Sequence, residues 1–72
     1  MKKFELTSES IVKLGKTLYR IRALVAFGDV KEGELGGFLE KEENLSQDGN
    51  AWVSGNAWVS GNATVSENAT VS

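Results

Sequence analysis

Four side chains have the types and spacing to bind something. Arg20 and Arg22 lie two apart in a β-rich run, and Trp52 and Trp58 lie six apart further along. Guanidinium groups hold carboxylates and phosphates through charge-assisted, often paired hydrogen bonds. With Lys13 and Lys16 nearby across a short turn, Arg20 and Arg22 have the chemistry to hold a small anionic ligand such as a nucleotide. They are equally suited to pair with Glu40, Glu42 or Glu43 of the same or a neighbouring chain. Tryptophan is enriched at binding hot spots. Trp52 and Trp58 therefore have three readings: covering a partner subunit, stacking on a ligand ring, or packing beneath the N-terminal strands. Aromatic and basic residues are not interleaved in the way that marks a nucleic-acid surface, so nucleic acid is not an expected partner.

Catalytic chemistry has little to work with. The chain contains no histidine and no cysteine, which removes disulfides, thiolate nucleophiles and the common zinc sites together. Gly15-Lys16-Thr17 resembles the end of a phosphate-binding loop, but Ser10 stands where the first glycine belongs, and a strand is expected to follow rather than a helix. Gly33-Glu34-Leu35-Gly36-Gly37 does not fit the dinucleotide pattern and reads as turn geometry. Glu42-Glu43, Glu32 and Glu34 read as hydrophilic loop residues, and Asp29 and Asp48 adjoin glycines as turn formers. No general acid–base constellation emerges. The expectation is a protein that is not an enzyme, with no catalytic, cofactor or metal site.

The elements that must position these groups follow from a short repeat. From Asn50 the chain reads Asn-Ala-Trp-Val-Ser-Gly twice, then Asn-Ala-Thr-Val-Ser-Glu, then Asn-Ala-Thr-Val-Ser. A fixed short period is the signature of a solenoid, whose coils bury their apolar faces only against neighbouring coils. Within each unit alanine and valine alternate with Trp, Thr or Ser, so one small and one branched residue face a narrow interior and the tryptophans face out. Ser-Gly-Asn or Ser-Glu-Asn turns the corner, glycine and asparagine being the residues that accept positive φ most cheaply. Three six-residue sides close a coil of about 18 residues. That spacing stacks Val71 on Val53 and Thr70 on Trp52. Leu45, six before Ala51, is expected in phase with the small inward positions, plugging the entrance of the coil.

The N-terminal third reads as short strands. Thr7–Ser10 is turn-like, and Ile11–Leu14 and Thr17–Leu24 form a hairpin across Gly15-Lys16. Tyr19, Ile21 and Ala23 are expected on the buried face, with Leu18, Arg20, Arg22 and Leu24 on the other. Residues 25–49 are dense in glycine and read as irregular turns and short strands; a helix over Leu39–Leu45 is weakened by Gly36-Gly37 and Asn44.

Length and charge set the outer bounds. A 72-residue domain buries a modest fraction of its surface, and without disulfides or metals the remaining aid to stability is oligomerisation. Net charge is −2, unevenly spread. Residues 1–24 carry six lysines and arginines against two glutamates, and residues 25–72 carry two lysines against eight carboxylates. Such polarity can guide head-to-tail association or present a basic patch to an anionic ligand, and it equally fits two faces that are simply solvated. Phe4-Glu5-Leu6-Thr7 after Met1-Lys2-Lys3 lacks the apolar run of a signal peptide, and no segment has the length of a membrane span, so the expected location is cytoplasmic, with no membrane partner. The Asn-x-Ser/Thr triplets at Asn44, Asn62 and Asn68 are by-products of composition.

The repeat Asn-Ala-x-Val-Ser-Gly resembles the hexapeptide repeat of left-handed parallel β-helix proteins. Phe27-Gly-Asp-Val-Lys-Glu-Gly-Glu-Leu-Gly-Gly-Phe38, followed by Asn44-Leu-Ser-Gln-Asp-Gly-Asn-Ala-Trp-Val53, resembles the N-terminal part of a group of bacterial and phage hexapeptide-repeat proteins that includes an enterobacterial acyltransferase family. The resemblance covers residues 3–72. It implies an all-β fold in which short antiparallel strands (residues 1–44) cap a minimal left-handed parallel β-helix (residues 45–72). Acyltransferases of the wider superfamily use a histidine base at a trimer interface; with no histidine here, that role transfers to no position. The functional expectation is a non-enzymatic, self-assembling homo-oligomeric interaction module with Trp52, Trp58, Arg20 and Arg22 at its interface. The alternative is a small phage accessory protein that sequesters an anionic, nucleotide-like ligand or inhibits a host protein. A degenerate acyltransferase ranks behind both.

Overall fold

The computed structural model describes residues 2–72 and is all-β. Its longest elements form a hairpin: β1 (Phe4–Lys13) pairs antiparallel with β2 (Lys16–Ala23), with Lys13 opposite Lys16. Leu14 and Gly15 form the two-residue turn with φ of 52° and 78°, the signs required by the primed turn that matches strand twist. The turn therefore sits one residue before the expected Gly15-Lys16. Thr7–Ser10 is not a turn. The β1–β2 register shifts between Leu6 and Ser10, so these polar residues are accommodated as a bulge inside β1.

β2 also pairs antiparallel with β3 (Leu35–Leu39), and a second register shift lies between Arg20 and Arg22. The extra residue lies in β3, where Leu35 to Phe38 spans three steps against two from Arg22 to Arg20. Ile21 and Ala23 are buried as expected and Tyr19, opposite the core residue Leu39, is half-buried, while Leu18 is fully buried outside the main apolar cluster.

β3 then pairs parallel with β5 (Trp58–Val59), completing a mixed sheet in the order β1-β2-β3-β5. A second, two-stranded parallel sheet joins β4 (Trp52–Val53) to β6 (Thr70–Val71). Its register, Trp52 with Thr70 and Val53 with Val71, is the one that an 18-residue spacing predicts. A parallel bridge joins Leu45 to Val65. Leu45 thus stands above a valine rather than in the alanine phase, because the corner at residues 46–50 is longer than its counterpart after Val65. Between β3 and Leu45 the chain makes one 3-10 turn, Glu42–Asn44, and no α-helix.

The corners keep the six-residue beat. Gly49, Gly55, Gly61 and Glu67 have φ of 72°, 61°, 68° and 60°. Glycine takes this conformation without penalty, whereas Glu67 holds it at a cost of about 1 kcal/mol. Gly36 answers to a different demand. A Cβ there would lie 2.5 Å from the Val53 carbonyl oxygen and 2.6 Å from Trp52 Cζ2, so only glycine lets β3 approach β4. One apolar cluster results, joining Phe4, Ile21 and Ala23 of the hairpin to Leu39, Leu45, Val53 and Val59. Each buried branched side chain contributes about 1.5–3 kcal/mol.

Candidate interaction surface

The hairpin is fastened to the rest of the molecule by its first residues. Lys3 is 4% exposed. Its Nζ donates to the carbonyls of Ala51 at 2.8 Å and Gly49 at 3.2 Å, and stands 4.6 Å from the centre of the Phe27 ring. Burial lowers the pKa of this ammonium, while the charge of Asp48 pushes it back up. From the other side, Gln47 Oε1 accepts from the backbone N–H of Lys3 at 2.6 Å and of Phe4 at 3.3 Å. Asn44 secures the next corner. It is fully buried, its Nδ2 donates to the carbonyls of Ala63 and Gly61, and its Oδ1 accepts from the Lys41 N–H. Buried polar groups hold a fold together only when satisfied in this way.

The two tryptophans have separate fates. Trp52 is 3% exposed, in edge contact with Phe27 at 5.3 Å between ring centroids, and covered by Gly36 and Ile21. It points away from the valine positions, as the alternation requires, but the surface it faces is the inner side of the N-terminal part of the chain. It is a core residue. Its Nε1 is buried with no hydrogen-bond partner among the described residues. Trp58 is 36% exposed on β5, the last strand of the mixed sheet.

Arg20 and Arg22 are paired within the hairpin and not with Glu40, Glu42 or Glu43. Arg20 Nε donates to Glu9 Oε2 at 2.9 Å and its Nη1 to the Gly36 carbonyl at 2.6 Å, while Arg22 pairs with Glu5. Glu40 pairs with Lys16 at 3.6 Å and Glu42 with Lys2 at 3.0 Å. The Arg20 guanidinium also lies 4.3 Å from the centre of the Phe38 ring. Because Arg20 is opposite Phe38 and Phe38 opposite Trp58, these three side chains form one row across the sheet. The structure therefore brings Arg20 and Trp58 into one row, leaves Arg22 on the hairpin beside it, and removes Trp52 to the core.

Alternate peptide groups of a strand point to opposite sides, so a ladder uses every second residue. The carbonyls of Ala57 and Val59 accept from Phe38 and Glu40, those of Ala69 and Val71 from Trp52 and Ser54, and Val65 bonds to Asn44 and Ser46. The peptide groups of Trp58, Thr64 and Thr70 therefore face the opposite way, where no strand among the described residues pairs with them. Here the small residues expected to face inward, Ala63 and Ala69, are exposed, because no further layer covers them among the described residues.

Two clefts border these elements. One, of about 790 Å³, has Leu6 and Leu45 in its wall with Glu40, Lys41, Glu42 and Glu43 around it. The Gly61 N–H donating to Glu40 at 2.6 Å holds that carboxyl below its ordinary pKa, against a smaller opposing effect of desolvation and with help from Lys16. The other, of about 370 Å³, lies beside Asp29, Glu34, Asn50, Trp52 and Thr70. Among the described residues no group of three potential ligands is placed to hold a metal ion, and no helix is long and apolar enough to cross a membrane.

Sequence reasoning missed Lys3, Gln47 and Asn44, whose contacts are long-range and leave no local signature. It also missed Leu14 at the hairpin turn, which shifting the turn by one residue brings into view. No protein-family model matches the chain, and no curated protein matches it in sequence.

Proposed function

We propose that the chain is a non-catalytic assembly module in which residues 35–72 wind as a left-handed parallel β-helix of hexapeptide repeats and a further copy adds to its open edge. The observation that carries this reading is the coincidence of three parallel pairings, at Phe38–Trp58, Leu45–Val65 and Val53–Val71, with corners at a six-residue interval. The peptide groups of Trp58, Thr64 and Thr70 face away from these pairings and are placed to template another strand. Unpaired parallel edges are adhesive, and strand addition supplies affinity through the main chain. The half-exposed Trp58 supplies an apolar anchor beside that edge, at the end of the row begun by Arg20 and Phe38.

A ligand-sequestering role at Arg20 and Arg22 has less behind it. An anion would have to displace Glu9, Glu5 and the Gly36 carbonyl from groups they already satisfy.

Thr64→Pro and Thr70→Pro test the reading. Proline removes an outward N–H, and is tolerated at edges where that group faces solvent. Both variants should keep the wild-type circular dichroism spectrum while reducing self-association. Self-association equal to wild type in both would reject edge addition.

A further inference from the structure

Three features at the tip of the β1–β2 hairpin each work against local stability. Leu14 occupies the first central position of the turn at φ 52°, a conformation that branched aliphatic residues rarely adopt and that asparagine or glycine ordinarily fills. Lys13 and Lys16 stand directly opposite one another, and like charges across a strand pair repel. Leu14 is 87% and Val12 68% exposed, so two aliphatic side chains project into water beyond the reach of β3, whose last partner on β2 is Tyr19. Violations of local rules that gather in one place mark a site whose demands come from elsewhere.

The same chain carries a complement to this tip. The larger cleft has Leu6 and Leu45 in its wall and carboxylates around it. Glu43 makes no ion pair with the described residues, Glu42 pairs with Lys2 at the surface and accepts from Gln47 Nε2 at 3.3 Å, and Lys41 is the one opposing charge in the lining. Glu40 at its edge is already held by Lys16 of the same chain. An apolar side chain flanked by lysines matches an apolar slot flanked by glutamates, following the polarity of the whole chain, basic before residue 25 and acidic after it.

We propose that the hairpin tip is a docking arm: Leu14, with Val12 and Lys13, inserts into the Leu6–Leu45 cleft of a second copy, where Lys13 meets Glu43. Reciprocal exchange of arms closes a two-fold pair, whereas one-way docking continues the chain of contacts. This contact uses side chains rather than main-chain pairing; its cleft borders the edge at Thr64 and Ser66 and lies apart from Trp58 and Thr70.

The absence of cysteine makes the test direct. Lys13→Cys and Glu43→Cys proteins, which keep Leu14 and place the two thiols at the proposed contact, are mixed and oxidised, with Glu32→Cys as the exposed control. The expected result is preferential coupling of the Lys13→Cys chain to the Glu43→Cys chain over coupling to the Glu32→Cys chain or to itself. Equal or absent coupling overturns the proposal. Leu14→Asn supplies the second measurement, since asparagine suits the turn. Its melting temperature should be no lower than wild type while the dissociation constant for self-association rises about tenfold; an unchanged dissociation constant overturns the proposal. Cross-linking through the arm together with unaltered association in Thr70→Pro, at a residue outside the cleft, would reject edge addition and keep the arm. The reverse pattern would do the opposite.

Discussion

Residues 50–55 and 56–61 have the same sequence, Asn-Ala-Trp-Val-Ser-Gly, and the same corner geometry, with Gly55 and Gly61 at φ 61° and 68°. Their surroundings differ. In the first, Ala51, Trp52 and Val53 are buried throughout, beneath Phe27, Ile21 and Gly36 and beside the Lys3 ammonium. In the second, Ala57 is half-buried, Trp58 exposed and only Val59 buried. Six identical residues thus form a core segment in one place and a sheet edge in the other. Local sequence specifies the backbone of a unit. What covers that unit is specified by residues far away in the chain.

The comparison can be broken at its centre. Val53→Asp places an unpaired charge in a site with no solvent access and should abolish cooperative unfolding altogether, a loss above about 4 kcal/mol. Val59→Asp, beside open solvent, should lose less and retain a measurable transition. The tryptophans give the next largest contrast. Trp52→Ala should cost about 3–5 kcal/mol, read as a fall in the denaturant midpoint, and Trp58→Ala no more than about 1 kcal/mol. Equal losses would mean that the two units share one environment.

Smaller changes sharpen the contrast between corners. Glu67 adopts the conformation that glycine supplies at the three preceding corners, so Glu67→Asn should raise stability by about 1 kcal/mol, seen in the melting temperature. At Gly61 the corner is held to the first layer by the Glu40 carboxylate. The folded-state pKa of Glu40 lies below its ordinary 4.5, so its ionised form stabilises the fold above that pH, and the contribution is lost as pH falls through the folded value. The stability gap between wild type and Glu40→Gln should be open at neutral pH and close below about pH 4.5. A gap independent of pH would remove the carboxylate from this role.

Much of the architecture was legible because the repeat encodes it in consecutive residues. Alternation of valine with polar residues and the Gly-Asn corners lead directly to the register of Val53 with Val71. The hairpin was legible in existence but not in detail. Its register shifts, between Leu6 and Ser10 and opposite Arg20–Arg22, depend on partners that a single strand does not reveal. Trp52 and Trp58 were indistinguishable, being set in identical neighbours, and only the packing of residues 21–36 separates them. Arg20 and Arg22 turned to Glu9 and Glu5 because a hairpin partner is nearer than any carboxylate of the repeat region. The contacts of Lys3 with Ala51, of Gln47 with Lys3 and of Asn44 with Gly61 span 17 residues or more, beyond any pattern of spacing.

The central claim is that this fold exposes an adhesive edge. Solution mass by light scattering coupled to size exclusion, across a concentration series, tests it most directly. The account predicts masses above 7.8 kDa that rise with concentration or settle at a fixed multiple. A mass of one chain at every concentration would contradict it.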